Sequence, residues 1–182
     1  TQISCLMQLT KQRSSSRLGL SKLKGLYREV ILDYANPPHN KGKLTNSTNA
    51  MTLHNPTCGD TINLQIEVAN GKVKDIAYTG DGCTISQASA SMMTDAVKGK
   101  TTEEALEMAK IFSDMAINKQ HSEEDLEKLG DARILTSIME FPARIKCATL
   151  SWWALQRPLL NDDKEESNND YRRGQYYNHR PV

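Results

Sequence analysis

The stretch Thr61–Thr79, "TINLQIEVANGKVKDIAYT", decides the fold of this chain. Ile62, Leu64, Ile66 and Val68 alternate with Asn63, Gln65 and Glu67, the period of a strand with one buried face. Asn70-Gly71 follows; both residues tolerate positive φ, so the chain turns back in a tight hairpin and returns over Lys72 to Thr79. The short run "TLHN", Thr52–Asn55, adds a third strand at the sheet edge.

Outward from the hairpin the period changes. Upstream, Leu23, Leu26, Tyr27, Val30, Ile31 and Tyr34 recur at three- and four-residue spacing, with Ser21 placed to cap this helix and Pro37-Pro38 to stop it. Downstream, Gly80-Asp81-Gly82 permits a sharp turn into "CTISQASASMMTDAVKG", a helix with Ile85, Ala88, Met92, Ala96 and Val97 near one face and Gly99 at its C-terminal end. Thr101 to Glu104 reads as a capping box for a helix that turns Ala105, Met108, Ala109, Phe112 and Met115 inward. Ser122 to Asp125 begins a short helix and Asp131 to Glu140 forms another. Pro142 opens the last, whose buried stripe is Ile145, Ala148, Thr149, Trp152 and Leu155. The Met92-Met93 and Trp152-Trp153 pairs each read as one buried and one exposed member. Strands first and helices after predict an α+β fold, a small antiparallel three-stranded sheet with helices packed against one face.

Composition bounds the function. At 182 residues one domain is expected: residues 21–160, between a flexible N-terminal arm (1–20) and a flexible polar C-terminal tail (161–182). A net charge of +1 supplies no field to draw in nucleic acid or an anionic membrane. No run approaches the roughly 20 apolar residues of a membrane span. The apolar patch Ile3–Leu9 precedes the basic residues, the reverse of a secretory signal, so a soluble cytoplasmic protein is expected. The four cysteines are too few and too scattered for a disulfide-stapled fold.

Three of those cysteines sit at element boundaries. Cys58 lies in "NPTCGDTI", the loop entering the hairpin; Cys83 follows Gly-Asp-Gly at a helix N-terminus; Cys147 lies in the first turns of the last helix. A thiol at a helix N-terminus is pushed toward thiolate, the nucleophilic and metal-binding form. Asp60 adds an oxygen donor two residues from Cys58. Three thiolates and one carboxylate suit tetrahedral Zn²⁺ or a nascent iron–sulfur cluster, with the hard carboxylate the member that exchanges most readily. Each cysteine alone also reads as a small buried hydrophobe, and Asp60 alone as a turn residue. His39 and His54 lie in loops from which they could approach such a site, and Cys5, in the arm, is assigned no role.

The segments "NPTCGDTI", "GDGCTISQASASMMTDAVKGK" and "FPARIKCATLSW" resemble the three cysteine motifs of the SufU-type members of the IscU-like (NifU N-terminal-domain-like) family. The similarity extends to "LSKLKGLYREVILDYANPPHNKGKL" and "ALEMAKIFSDM", and so covers about residues 20–157. It implies the IscU-like/SufE-like fold, with Cys58, Asp60, Cys83 and Cys147 as zinc ligands and Cys58 as sulfur acceptor. It implies as partner a SufS-type pyridoxal-phosphate cysteine desulfurase, a histidine of which takes over a zinc position and frees the Cys58 thiolate. A SufBCD-type cluster scaffold is the implied downstream partner. Arg144 becomes a candidate contact to the site or to the partner.

The departures are specific. IscU-type scaffolds carry a histidine immediately before the third cysteine, where this chain has Lys146, and a Leu-Pro-Pro-Val-Lys chaperone motif that is missing here. An extra helical stretch lies between Gly99 and Pro142, as in SufU-type proteins, and Asp81 stands where Glu is commoner. The missing scaffold features and the extra helical stretch point toward zinc-dependent sulfur relay; the Asp81 change is mild. The alternatives are a scaffold that builds a transient [2Fe–2S] cluster on the same residues, and a structural zinc module that activates the desulfurase.

Overall fold

The computed structural model describes residues 17–161. Cys5, most of the N-terminal arm and nearly all of the C-terminal tail lie outside them. Helix α1 (Arg17–Ala35) leads into strands β1 (Asn49–His54), β2 (Thr61–Ala69) and β3 (Lys72–Thr79). Helices α2 (Thr84–Val97), α3 (Thr102–Ala116) and α4 (Glu123–Lys128), a 3-10 helix (Gly130–Ile138) and α5 (Pro142–Asn161) follow. Because α1 starts at Arg17, Ser21 lies inside the helix and does not cap it. The segment Gly130–Ile138 takes the tighter 3-10 winding in place of the expected helix over Asp131–Glu140.

The sheet is antiparallel in the order β1-β2-β3, so the alternating strand is central. Met51 pairs with Leu64, Leu64 with Tyr78, and Ile66 with Ile76. Asn70 and Gly71 take φ of 54° and 70°, the left-handed pair that a two-residue hairpin turn requires. The ladder slips by one residue between Glu67 and Val68, where Val68 pairs with Val73 and Glu67 with Asp75, leaving Lys74 as the extra residue of a bulge. The bulge explains why Val73 and Ile76, an odd number of positions apart, are both buried.

Ile62, Leu64, Ile66, Ile76 and Tyr78 form the inner face of the sheet, and the helices cover it. Helix α2 sits centrally and contacts α1 on one side and α5 on the other. Every residue from Ser86 to Thr94 is buried, so the helix has no solvent face over those turns. Met92 and Met93 are both fully buried, which corrects the expectation of one exposed member; in the tryptophan pair Trp152 is buried and Trp153 half-buried, so neither pair has an exposed member. Small side chains let the neighbours approach closely: the Ser89 hydroxyl donates to the Ala148 carbonyl at 2.5 Å, tying α2 to the turn of α5 that carries Cys147. Trp152 stacks on Phe112 of α3 with ring centroids 4.6 Å apart. The Thr101–Glu104 capping box is formed in both directions. Among the described residues no helix is long and apolar enough to cross a membrane.

Candidate metal centre

The site lies where the β1–β2 loop, the β3–α2 turn and the second turn of α5 meet. The loop Asn55–Asp60 is closed at its base by the Asn55 N–H donating to the Asp60 carbonyl at 2.7 Å, one step beyond the last ladder pair, His54 with Thr61. The Gly59 N–H then donates to the Asn55 carbonyl at 2.8 Å, which lifts Cys58 to the surface and leaves Asp60 1 % exposed.

The β3–α2 turn approaches closely and needs both of its glycines. A Cβ on Gly80, whose φ is +126°, would stand 2.0 Å from the Thr61 carbonyl oxygen. One on Gly82 would stand 2.8 Å from Asp60 Oδ1. That closeness lets the Cys83 N–H donate to Asp60 Oδ1 at 2.9 Å. The carboxylate is therefore fixed by the first backbone amide of the α2 entrance, where the helix field favours an anion.

Three of the four expected donors converge. One ligand atom each from Cys58, Asp60 and Cys147 lies within 4.8 Å of the other two. The Cys58 and Cys147 sulfurs are 3.0 Å apart. Cys83 is adjacent through its backbone, but its sulfur turns onto its own helix as the N-cap, accepting from the Ser86 N–H at 3.4 Å. Burial, reinforced by the hydrogen bond with Cys58 and by Asp60, holds the Cys147 thiol well above the usual thiol range.

The remaining expectations fall outside this cluster. Arg144 is exposed one turn before Cys147. His39 pairs with Asp95 at 2.6 Å on α2, and His54 bonds the Thr61 hydroxyl at 2.6 Å; neither joins the donor group. Sequence reasoning missed Asn55. It is 3 % exposed, and its side-chain amide donates to Cys58 Sγ at 2.9 Å. Its one signal in the sequence is an Asn two residues before a loop amide, Thr57, which its Oδ1 accepts at 3.1 Å.

The donor set fits Zn²⁺. Asp60 Oδ2 is buried with no hydrogen-bond partner among the described residues, and the carboxylate lies beside a thiol pair, an arrangement that a cation would satisfy. Two sulfurs and a carboxylate oxygen, with Cys83 at the rim, are within the ligand chemistry of tetrahedral zinc.

A three-stranded sheet with helices on one face brings thiols and a carboxylate from separate chain segments into one donor group of a kind that suits a metal. The chain belongs to the NifU-like N-terminal domain family, whose model matches residues 26–148. It is 49 % identical over 149 residues to the zinc-dependent sulfurtransferase SufU of Bacillus subtilis, covering 82 % of this chain and 97 % of the relative. It is 47 % identical over 142 residues to the iron–sulfur cluster assembly scaffold protein IscU of Streptococcus pyogenes, covering 78 % and 87 %. Among solved structures, a SufU described as a putative cluster assembly scaffold from Fervidobacterium islandicum superposes with a TM-score of 0.67 at 34 % identity, covering 72 % of this chain and 94 % of that one.

Proposed function

We propose that this protein is a sulfur carrier of iron–sulfur cluster assembly, with residues 21–160 as the working domain and Cys58 as the acceptor. The observation that supports this reading is the division of exposure in the donor group: Cys58 is exposed, whereas Asp60 and Cys147 beneath it are each 1 % exposed. A partner can reach Cys58 without opening the fold. Cys58, Asp60, Cys83 and Cys147 would hold Zn²⁺, which when bound keeps the thiols ionised and the three segments together.

The donor of sulfur is the persulfide of a pyridoxal-phosphate cysteine desulfurase in the cytoplasm. The Cys58 thiolate attacks the terminal sulfur of the enzyme persulfide. The new S–S bond forms on Cys58, the S–S bond within the enzyme breaks, and the enzyme cysteine leaves as thiolate. Asp60 is held by the Cys83 N–H, and Cys58 is the exposed residue of the group. Exposed Arg144 is a candidate contact to the site or to the partner, and a SufBCD-type scaffold receives the sulfur. A second reading, assembly of a [2Fe–2S] cluster on the same residues, draws support from the scaffold name of the Streptococcus relative.

The test is incubation of the purified protein with desulfurase and cysteine, followed by mass mapping of the added sulfur. One sulfane sulfur on the Cys58 peptide, abolished in C58A, is expected. Undiminished desulfurase stimulation by C58A would sink the carrier reading, and a cluster retained after anaerobic reconstitution would favour the scaffold.

A further inference from the structure

We infer that Asn55 is a positioning residue for sulfur acceptance: its side-chain amide holds the Cys58 sulfur in place for attack. The inference rests on the reading of Cys58 as acceptor.

Asn55 is placed by three separate bonds. Its backbone N–H and carbonyl close the loop on Asp60 and Gly59, at 2.7 and 2.8 Å. Its Oδ1 accepts from the Thr57 N–H at 3.1 Å. With the carbonyl oxygen of the amide so engaged, the Nδ2 end is aimed at the sulfurs, 2.9 Å from Cys58 Sγ and 4.0 Å from Cys147 Sγ. Burial shields this donor from water, and a buried amide donor finds a partner at a cost if that partner is removed. Here the partner is the sulfur of Cys58, the exposed residue of the donor group.

A loop thiol without such a contact samples three staggered rotamers about its Cα–Cβ bond. The Asn55 amide selects one of them, and it remains a hydrogen-bond donor to whatever charge the sulfur carries. Loop shaping and sulfur holding are thus the work of different atoms of one side chain, Oδ1 and Nδ2, and they can be separated by substitution.

N55D keeps an oxygen for the Thr57 N–H and removes the donor to Cys58. N55A removes both. A role limited to loop shape leaves N55D at the wild-type rate. The positioning role lowers kcat for sulfur transfer from desulfurase to N55D by about ten- to hundredfold, the size of a lost hydrogen bond to a charged group, at unchanged KM for the carrier. If N55A does not fold, N55D alone carries the comparison. A second readout is independent of turnover: in ¹⁵N-labelled protein the Asn55 side-chain NH₂ resonances shift in C58S and stay in place in a distant variant such as T101A. Wild-type transfer by N55D, a change confined to KM, or an Asn55 resonance indifferent to C58S would each overturn the inference. Sulfur transfer persisting in C58A would instead overturn the acceptor reading on which it rests.

Discussion

Gly82→Ala tests how the carboxylate of the site is held. The added Cβ would meet Asp60 Oδ1 at 2.8 Å, Ser86 Oγ at 2.9 Å and Asp60 Cγ at 3.1 Å, where ordinary contact begins at 3.4 Å. The carboxylate must therefore retreat by about half an ångström, and its 2.9 Å bond from the Cys83 N–H is lost or badly stretched. A hydrogen bond to a charged group contributes about 1.5–3 kcal/mol. Alanine returns about 0.4–1 kcal/mol by restricting the unfolded chain, and Gly82 is not in a left-handed conformation that would oppose it. The net loss is about 1–2 kcal/mol, or a fall in Tm of about 2–8 °C for a chain of this size. Because the displaced group is a proposed ligand, zinc affinity should fall by about ten- to a hundredfold. Thermal unfolding and competition with a chromophoric chelator measure the two effects. Thr101→Ala is the control, losing about 1 kcal/mol by removing the α3 cap while leaving zinc affinity unchanged. A G82A protein that binds zinc as tightly as the wild type would refute the argument that Asp60 is fixed by close approach of this turn.

Two further outcomes are expected. Tyr34→Phe removes the hydroxyl that donates to Asp131 Oδ2 at 2.5 Å and leaves a half-buried carboxylate without that partner, so denaturant unfolding should show a loss of about 1.5–3 kcal/mol. In metal-stripped protein, burial favours the neutral Cys147 thiol in the fold, whereas the unfolded thiol ionises near 8.5. Its contribution is complete below that pH and is lost as pH rises above it, by up to about 1.4 kcal/mol per pH unit. Urea unfolding between pH 8 and 9.5 should show this slope in the wild type and a shallower one in C147A; equal slopes would contradict it.

The hairpin was legible because its signals are local: a period of two and an Asn-Gly turn whose φ values the backbone adopts. The capping box and Pro142 were legible for the same reason. Helix α2 was not, because periodicity reports a face only where a helix has one. With Ser, Ala and Met buried around its whole circumference, the arithmetic that singled out Ile85 and Ala96 picked two residues that are only half-buried. The donor residues could be named from their boundaries, yet the direction of a side chain depends on tertiary contacts. Cys83 is at the expected helix start, and its sulfur is spent on capping that start. Asn55 stayed hidden since nothing in "NPTC" says that its amide is buried beneath a thiol.

The 89-residue separation between Cys58 and Cys147 has a consequence for the order of events in folding. Cys58, Asp60 and Cys83 lie on neighbouring loops of the β1–β2–β3 meander, whereas Cys147 arrives only when α5 docks on α2 and β1. Contacts between distant segments pay the largest loop-closure cost and form late. The buried thiol is therefore the last donor to be installed, and capture of a metal by the full group would report that the C-terminal helix has reached its place. A metal with affinity for the completed group acts as a clasp across the whole length of the domain. Its binding energy is drawn as much on the docking of α5 as on the sulfurs themselves.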